Sequence, residues 1–391
     1  MAGLIIKPRS RIFHGHDWVY SSEVKKAFGN PEPGTVVTLK DFKDRPLGSA
    51  IYNPESQIVA RRISRRVQKL DLDLFSRRIT RAQEYRESLG FSKEQPYRVV
   101  WSESDGLPGV VIDRYGDSAV LQTLTLAMDH QKQVIAQAAT NVLGVTSVIE
   151  RNDNGIRKAE GMEEAVGMLS GEAPGEVEVD DGTGIRFKVD LLGGQKTGLY
   201  LDQFGSYDAV AKHAKGRRVL DCFTNQGGFA LHCARAGAAS VEAVDISETA
   251  ISATRENAAL NSLAVETSVE NVFGYLKALI AQEKKYDLIV LDPPSFTKAK
   301  SKINEAMRGY KEIHLRALKL LTPGGLMATF CCSHHVGWRE FRNSVLSASV
   351  DAKKTLRQRE IYTQRSDHPI NATIPETEYL KGYLFEVTPS F

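Results

Sequence analysis

Residues 216–247, GRRVLDCFTNQGGFALHCARAGAASVEAVDIS, constrain this chain more than any other stretch. Arg218 to Phe223 is an apolar strand closed by Asp221, and the polar turn Thr224-Asn225-Gln226-Gly227-Gly228 follows it. A helix from about Phe229 to Ala236 and a strand from Val241 to Asp245 complete a βαβ unit. In such a unit the two glycines let a ligand approach backbone N–H groups at the helix N-terminus. The acid at the tip of the second strand, Asp245, can accept hydrogen bonds from a ribose diol. A βα turn that holds no ligand has the same outline, so the downstream motifs decide.

The turn is not GxGxxG, the spacing that cradles a dinucleotide pyrophosphate. S-adenosylmethionine (AdoMet) has no pyrophosphate and does not need that spacing. An acid inside the strand end, Asp221, can meet its methionine ammonium instead. AdoMet is therefore expected in preference to NAD.

At 391 residues the chain is long for one domain, so two or three are expected. It is 42% hydrophobic and 25% charged, as ordinary globular proteins are, and no apolar run reaches the ~18 residues of a membrane span. The N-terminus has no continuous apolar segment of the secretory type. Cys222, Cys233, Cys331 and Cys332 form no CxxC pair, which argues against a disulfide framework or zinc ribbon and for a reducing compartment, the cytoplasm by default. No metal is expected. The net charge of +3 is unevenly spread: residues 1–69 carry thirteen Lys and Arg against six Asp and Glu. A basic module on a near-neutral chain suggests a polyanion such as nucleic acid, though a solvated basic surface reads the same way.

In chain order, strand-like runs near residues 4–6, 35–39, 47–52 and 58–63 suggest a small β-rich module, with a short helix over His16–Ser21. An amphipathic connector helix follows over residues 70–90. A second module runs to about residue 185, with strands near 97–101, 109–113, 118–123 and 147–151, a helix over 129–143 and a Gly/Glu/Pro-rich loop over 163–175. From about residue 186, strands at 218–221, 241–244, 287–291 and 326–330 alternate with helices. That alternation means a parallel, doubly wound sheet, to which the tail can add two strands.

Asp292-Pro293-Pro294-Ser295-Phe296 follows the strand Asp287–Leu291, at the carboxyl end where parallel sheets bind ligands. A rigid DPP turn downstream of an AdoMet-type βαβ unit points to methylation of a nucleobase, without choosing the atom. Thr329-Phe330-Cys331-Cys332-Ser333 ends the next strand at the same edge. Carbon 5 of a pyrimidine is not nucleophilic until a thiolate adds to carbon 6, so a cysteine opposite an acid suits that reaction. Adjacent residues on a strand face opposite ways, so at most one of Cys331 and Cys332 faces the site. The spacing does not say which. The GGQKTGLYLDQ segment (193–203), with Lys196 and Gln203, suits the carboxylate end of a ligand.

RxxxGHxWVYxxE in the first module resembles the PUA RNA-binding domain, with Arg9, Arg11, Arg61, Arg62, Arg65 and Arg66 as candidate RNA contacts. Over nearly its whole length the chain resembles the bacterial large-subunit rRNA cytosine-5 methyltransferases. The matching motifs are ESDGLPGVVIDRYGD, ERNDNGIRKAEGM, GGQKTGLYLDQ, LDCFTNQGGFALHCARAGA, DPPSF, TFCCS and DHPINATIPETEYLKGY. The resemblance implies an α/β protein: a PUA-like domain (1–69), a linker helix and central α+β (EEHEE) domain (70–185) and a Rossmann-like class I methyltransferase domain (186–391). It implies Cys332 as nucleophile, Asp292 as the base-contacting acid, Asp245 on the ribose and Asn271 on the adenine side. Phe223, Thr224, Gly227, Gly228, Ile246 and Val272 would complete the AdoMet site with Asp221. Phe204 stands where the family usually has Arg, removing one AdoMet-side or structural contact. Pro294 stands where related enzymes often carry a cysteine that assists release.

The expected activity is formation of 5-methylcytosine in 23S rRNA, free or in a large-subunit precursor, through a cysteine adduct, with S-adenosylhomocysteine as coproduct. A homodimer through the central module is left open, and no membrane partner is expected. Two rivals remain: a base methyltransferase acting on guanine N7 or an exocyclic amine without Cys332, and an RNA-binding protein with a degenerate AdoMet site.

Overall fold

Alternating Val, Leu and Ile runs separated by Gly and Pro turns set the first strands of the computed structural model, which describes residues 2–194, 197–297 and 300–388. The strands β1 (Gly3–Ile6), β2 (Trp18–Val19), β3 (Val24–Phe28), β4 (Thr35–Lys40), β5 (Pro46–Tyr52) and β6 (Ala60–Ser64) form one mixed sheet in the order β2-β6-β5-β4-β1-β3. Its core is Leu4, Ile6, Val19, Val37, Leu39 and Ala50. The helix expected over His16–Ser21 is instead the short strand β2, flanked by single 3-10 turns. Pairing of Trp18 with Arg61 and of Val19 with Ala60 outweighs the local preference. Trp18 is half-buried, and its Nε1 donates to Glu103.

Helix α1 (Leu72–Ser88) leads to a second sheet of β7 (Tyr97–Trp101), β8 (Val110–Tyr115), β9 (Ser118–Thr123), β10 (Ser147–Asn152) and β11 (Ala165–Ser170). Between β9 and β10 lie α2 (Leu126–His130) and α3 (Lys132–Leu143), and α4 (Ile156–Ala159) precedes β11. The loop expected over residues 163–175 thus contains a strand. β11 is an edge strand whose Gly167 interrupts the alternation, so its pairing with β10 leaves no period-2 signature. Arg86 of α1 is fully buried; its guanidinium holds Asp105 through Nη1 (2.5 Å) and Nη2 (2.8 Å) and donates to the carbonyls of Arg98 and Asp367.

Two compact units divide the chain. One comprises residues 1–179, 189–201 and 366–377; the other comprises 180–188, 202–365 and 378–391. A separate two-stranded sheet is formed by β12 (Glu176–Asp180) and β13 (Arg186–Asp190).

The second unit opens with α5 (Phe204–Ala211) and continues β14 (Arg218–Cys222), α6 (Gly228–Arg235), β15 (Ser240–Asp245), α7 (Glu248–Leu260), β16 (Glu266–Val269), α8 (Val272–Ala281) and β17 (Tyr286–Leu291). It ends with α9 (Ile303–Leu320), β18 (Leu321–Cys331), α10 (Trp338–Asp351), β19 (Thr355–Thr363) and β20 (Lys381–Thr388). The sheet order is β16-β15-β14-β17-β18-β20-β19, parallel through β18, with β20 antiparallel to both of its neighbours. After β16 the chain crosses to the other side of β14, so the carboxyl ends of β14 and β17 form a topological switch point, where open α/β sheets bind ligands. α9 buries Ala306, Tyr310, Ile313, His314, Ala317 and Leu318, the one-faced spacing that packs a helix on a sheet. Sequence reading missed β3, β16, α5 and α8. β3 and β16 are polar edge strands, and α8 carries an internal glycine, Gly274.

Removing Arg86 strands the Asp105 carboxylate in the interior. Arg86→Met is expected to cost about 3–5 kcal/mol, read as a lowered midpoint in denaturant unfolding.

Candidate active site at the switch point

The turn from β14 to α6 is held against β15. Phe223 N and Thr224 N donate to the Val244 carbonyl at 2.9 and 3.1 Å, and Asn225 N donates to Asp245 Oδ2 at 3.1 Å. Phe223, Asn225 and Gly227 all take positive φ, so the backbone doubles back before the helix. A Cβ on Gly228 would lie 2.3 Å from Tyr207 Cζ. The close approach permitted by that glycine is therefore used by an aromatic ring, a role that the motif alone does not reveal.

Asp221 is fully buried. Its Oδ2 accepts from Thr224 Oγ1 (2.6 Å) and Ala230 N (3.1 Å), while Oδ1 has no partner. Burial pushes its carboxyl up to about 7. Asp245 ends β15, with Oδ1 also accepting from Ser247 N (3.0 Å). Beside it Ile246 is 67% exposed, an apolar face at the mouth of the turn. Asn271 caps α8: its Oδ1 accepts from Phe273 N and Gly274 N, which leaves Nδ2 as the group it can offer a ligand. The neighbouring Val272 is buried.

Asp292 begins the DPP turn at the end of β17, and Gln203 Nε2 donates to its Oδ2 at 3.0 Å. Gln203, expected at the ligand's carboxylate end, thus holds Asp292 through Nε2, and its Oε1 is buried without a partner. Leu291 is in register with Thr329 of β18, so Asp292 and Cys332 leave neighbouring parallel strands at one edge. The two cysteines differ sharply. Cys331 is fully buried in the core with Tyr310, Val336 and Phe341, and burial pushes its thiol up. Cys332, one residue past the strand, is half-buried. Cys222 and Cys233 are fully buried. Behind the strand, His314 Nε2 and Thr329 Oγ1 are 2.8 Å apart, and burial holds the imidazole down to about 3, hence neutral. Lys196 lies outside the described residues.

A family model for S-adenosylmethionine-dependent methyltransferases matches residues 131–343, and one for a PUA-like domain matches residues 6–65. Ribosomal RNA large subunit methyltransferase I of Aeromonas salmonicida is 38% identical over 386 residues, 97% of each chain. The Vibrio vulnificus protein of the same name is 37% identical over 98% of each. The chain belongs to this family. In fold it is similar to a Streptococcus mutans protein assigned to the SAM-dependent methyltransferases (TM-score 0.84, 22% identity, 99% of this chain and 100% of that one). It is similar also to a methyltransferase complexed with S-adenosylhomocysteine (TM-score 0.85, 23% identity, the same coverage).

The cofactor of this family member is AdoMet, and the residues at the switch point fit it. A buried carboxylate oxygen without a partner, Asp221 Oδ1, suits an ammonium group, and Asp245 with the exposed Ile246 suits a ribose and an adenine face. Phe204, where the family usually has Arg, packs on Phe187 (5.9 Å) and Tyr207 (5.6 Å), with the Arg365 guanidinium 4.9 Å above its ring. Among the described residues no cluster of three His, Cys, Asp or Glu could hold a metal ion, and no helix is long and apolar enough to cross a membrane.

The candidate RNA arginines divide. Arg62 is buried against Asp17 at 2.6 Å, and Arg61 is held by Glu103 at 2.7 Å, so both are spent on ion pairs inside the first unit. Arg11 lies over the Tyr20 ring and 3.5 Å from Glu23. Arg9, Arg65 and Arg66 are exposed. A buried arginine and a solvated one look alike in sequence; the cue was the paired acids, Asp17 and Glu103.

The Asp221 carboxyl loses its proton as pH rises through about 7, and an ammonium binds the ionised form. AdoMet affinity should therefore strengthen from pH 6 towards about 8, where the ligand's own α-amine begins to titrate. Asp221→Asn should weaken binding about tenfold or more and flatten this profile, as calorimetry across that range would read. For the unliganded protein the sign is opposite. A folded-state pKa above the unfolded value contributes stability present below about pH 4 and lost as pH rises through about 7.

Proposed function

We propose that this AdoMet-dependent methyltransferase forms 5-methylcytosine in 23S rRNA, in the cytoplasm, with Cys332 as nucleophile and Asp292 as the base-contacting acid. One observation carries the choice of mechanism. Of the two adjacent cysteines, Cys331 is sealed in the core, while the half-buried Cys332 stands at the carboxyl end of β18, beside the strand that ends at Asp292. In the same proposal residues 1–69 form the RNA-binding module, with Arg9, Arg65 and Arg66 as its solvated cations. Residues 70–185 are the central module and 186–391 the catalytic domain.

Bound AdoMet, held by Asp221, Asp245, Asn271 and the backbone around Gly227, supplies an electrophilic methyl group on a sulfonium. The chain's own residues do the rest. The Cys332 thiol gives up its proton to solvent and the thiolate adds to carbon 6, making a sulfur–carbon bond while the ring's double-bond pair moves to carbon 5. Asp292, oriented by Gln203, donates its carboxyl proton to the ring N3 as negative charge builds there and accepts from the exocyclic amine, stabilising the electron-rich ring. After carbon 5 is methylated, its proton leaves to a base or to water. That electron pair re-forms the double bond and expels the thiolate.

Wild type, Cys331→Ala and Cys332→Ala would each be incubated with tritiated AdoMet and deproteinised 23S rRNA, and the labelled nucleoside identified by mass spectrometry. Label in 5-methylcytidine that falls to background only in Cys332→Ala is expected, with Cys331→Ala active and about 1–2 kcal/mol less stable. Label in a guanosine or adenosine, unaffected by either change, would remove the covalent mechanism.

A further inference from the structure

Lys381 is the first residue of β20 and is only 4% exposed. Lysines this deeply buried need a compensating partner, because two neutral carbonyls do not offset the loss of hydration of a full charge. Its Nζ donates to the carbonyls of Tyr379 (2.8 Å) and Ser333 (3.1 Å), and no carboxylate of the described residues lies within ion-pair distance of it. Lys381 is the antiparallel partner of Cys331, so the two side chains leave the sheet on one face. The four-carbon stem then carries the ammonium past Cys331 to the carbonyl of the residue after Cys332. Burial lowers the lysine's pKa, while the fields of Cys331, Glu378 and Cys332 act to raise it.

We propose that Lys381 is a positioning residue for Cys332: its ammonium fixes the Cys332–Ser333 turn through the Ser333 carbonyl and supplies the positive charge that favours the thiolate. This rests on Cys332 being the nucleophile. Asp292, from the turn after β17, and Glu378, which accepts from Trp338 Nε1, are acids and oppose a thiolate. Tyr310 of α9 is kept neutral by burial, and Cys331 is a buried thiol whose ionisation would compete. A cation within reach of a cysteine is the usual physical means of keeping it ionised near neutral pH.

The test is the rate of iodoacetamide alkylation of Cys332 against pH in the full chain, followed by peptide mass spectrometry. Wild type, Lys381→Met, Lys381→Gln and Lys381→Arg would be compared. Loss of the charge is expected to raise the midpoint by about one pH unit, slowing alkylation at pH 7 about tenfold, and Lys381→Arg should stay within about twofold of wild type. Lys381→Gln still donates to the Ser333 carbonyl, so it separates the charge from the hydrogen bond and serves if Lys381→Met does not fold. An unmoved midpoint in folded Lys381→Gln, or an ordinary cysteine midpoint in wild type, overturns the proposal. Alkylation reads the thiol and not the product. A shifted midpoint without 5-methylcytidine would therefore overturn the reaction but not the lysine's hold on Cys332, and product with an unmoved midpoint would do the reverse.

Discussion

Parallel pairing of β14 with β17 is the constraint on which the catalytic unit depends. Because β15 and β16 lie to one side of β14 and β17 and β18 to the other, the chain diverges above the two central strands and leaves a cleft there. Asp221 and Asp245 come from one side of that divergence, Asp292 and Cys332 from the other. Residues some hundred positions apart in sequence share an edge because five strands run in one direction.

Hydrogen bonding within the site leaves specific atoms uncommitted. Asp221 uses one oxygen on the turn that it stabilises and keeps the other free. Gln203 spends its amide nitrogen on Asp292 and keeps its oxygen. Asp245 holds both the β14–α6 turn and the start of α7, so the segment that would meet a ribose is also the one that fixes the glycine turn. The candidate ligand-binding side chains are thus also those that keep the turn rigid, and the positive-φ residues Phe223 and Asn225 donate their N–H groups to β15.

Much of this was legible in the sequence. The βαβ unit, the DPP turn and the TFCCS segment place Asp221, Asp245, Asp292 and the cysteine pair at strand ends, because period and turn chemistry are local properties. What escaped was non-local. Trp18 and Val19 read as helical until β6 pairs with them, and β11 carries a glycine where alternation should be. Arg61 and Arg62 read as solvated charges until Glu103 and Asp17 meet them. Tyr207 against Gly228 and Gln203 against Asp292 depend on α5 and its approach, which no motif announces. Lys381 did leave a trace: a charged residue set between Leu380 and Tyr383 in a buried strand is out of place unless something nearby needs it.

Residues 366–377 belong to the first unit although more than 160 residues of the second precede them. Arg86 and Arg98 bond Asp367, Ser104 bonds the Pro369 carbonyl, and His16 bonds Glu376. On a translating ribosome those partners are made last. The first unit, though most of it is synthesised first, waits with an open seam until residues 366–377 have been threaded out. Closure of the first unit is thereby tied to residues 366–377, and a message cut short before them leaves that unit without these bonds.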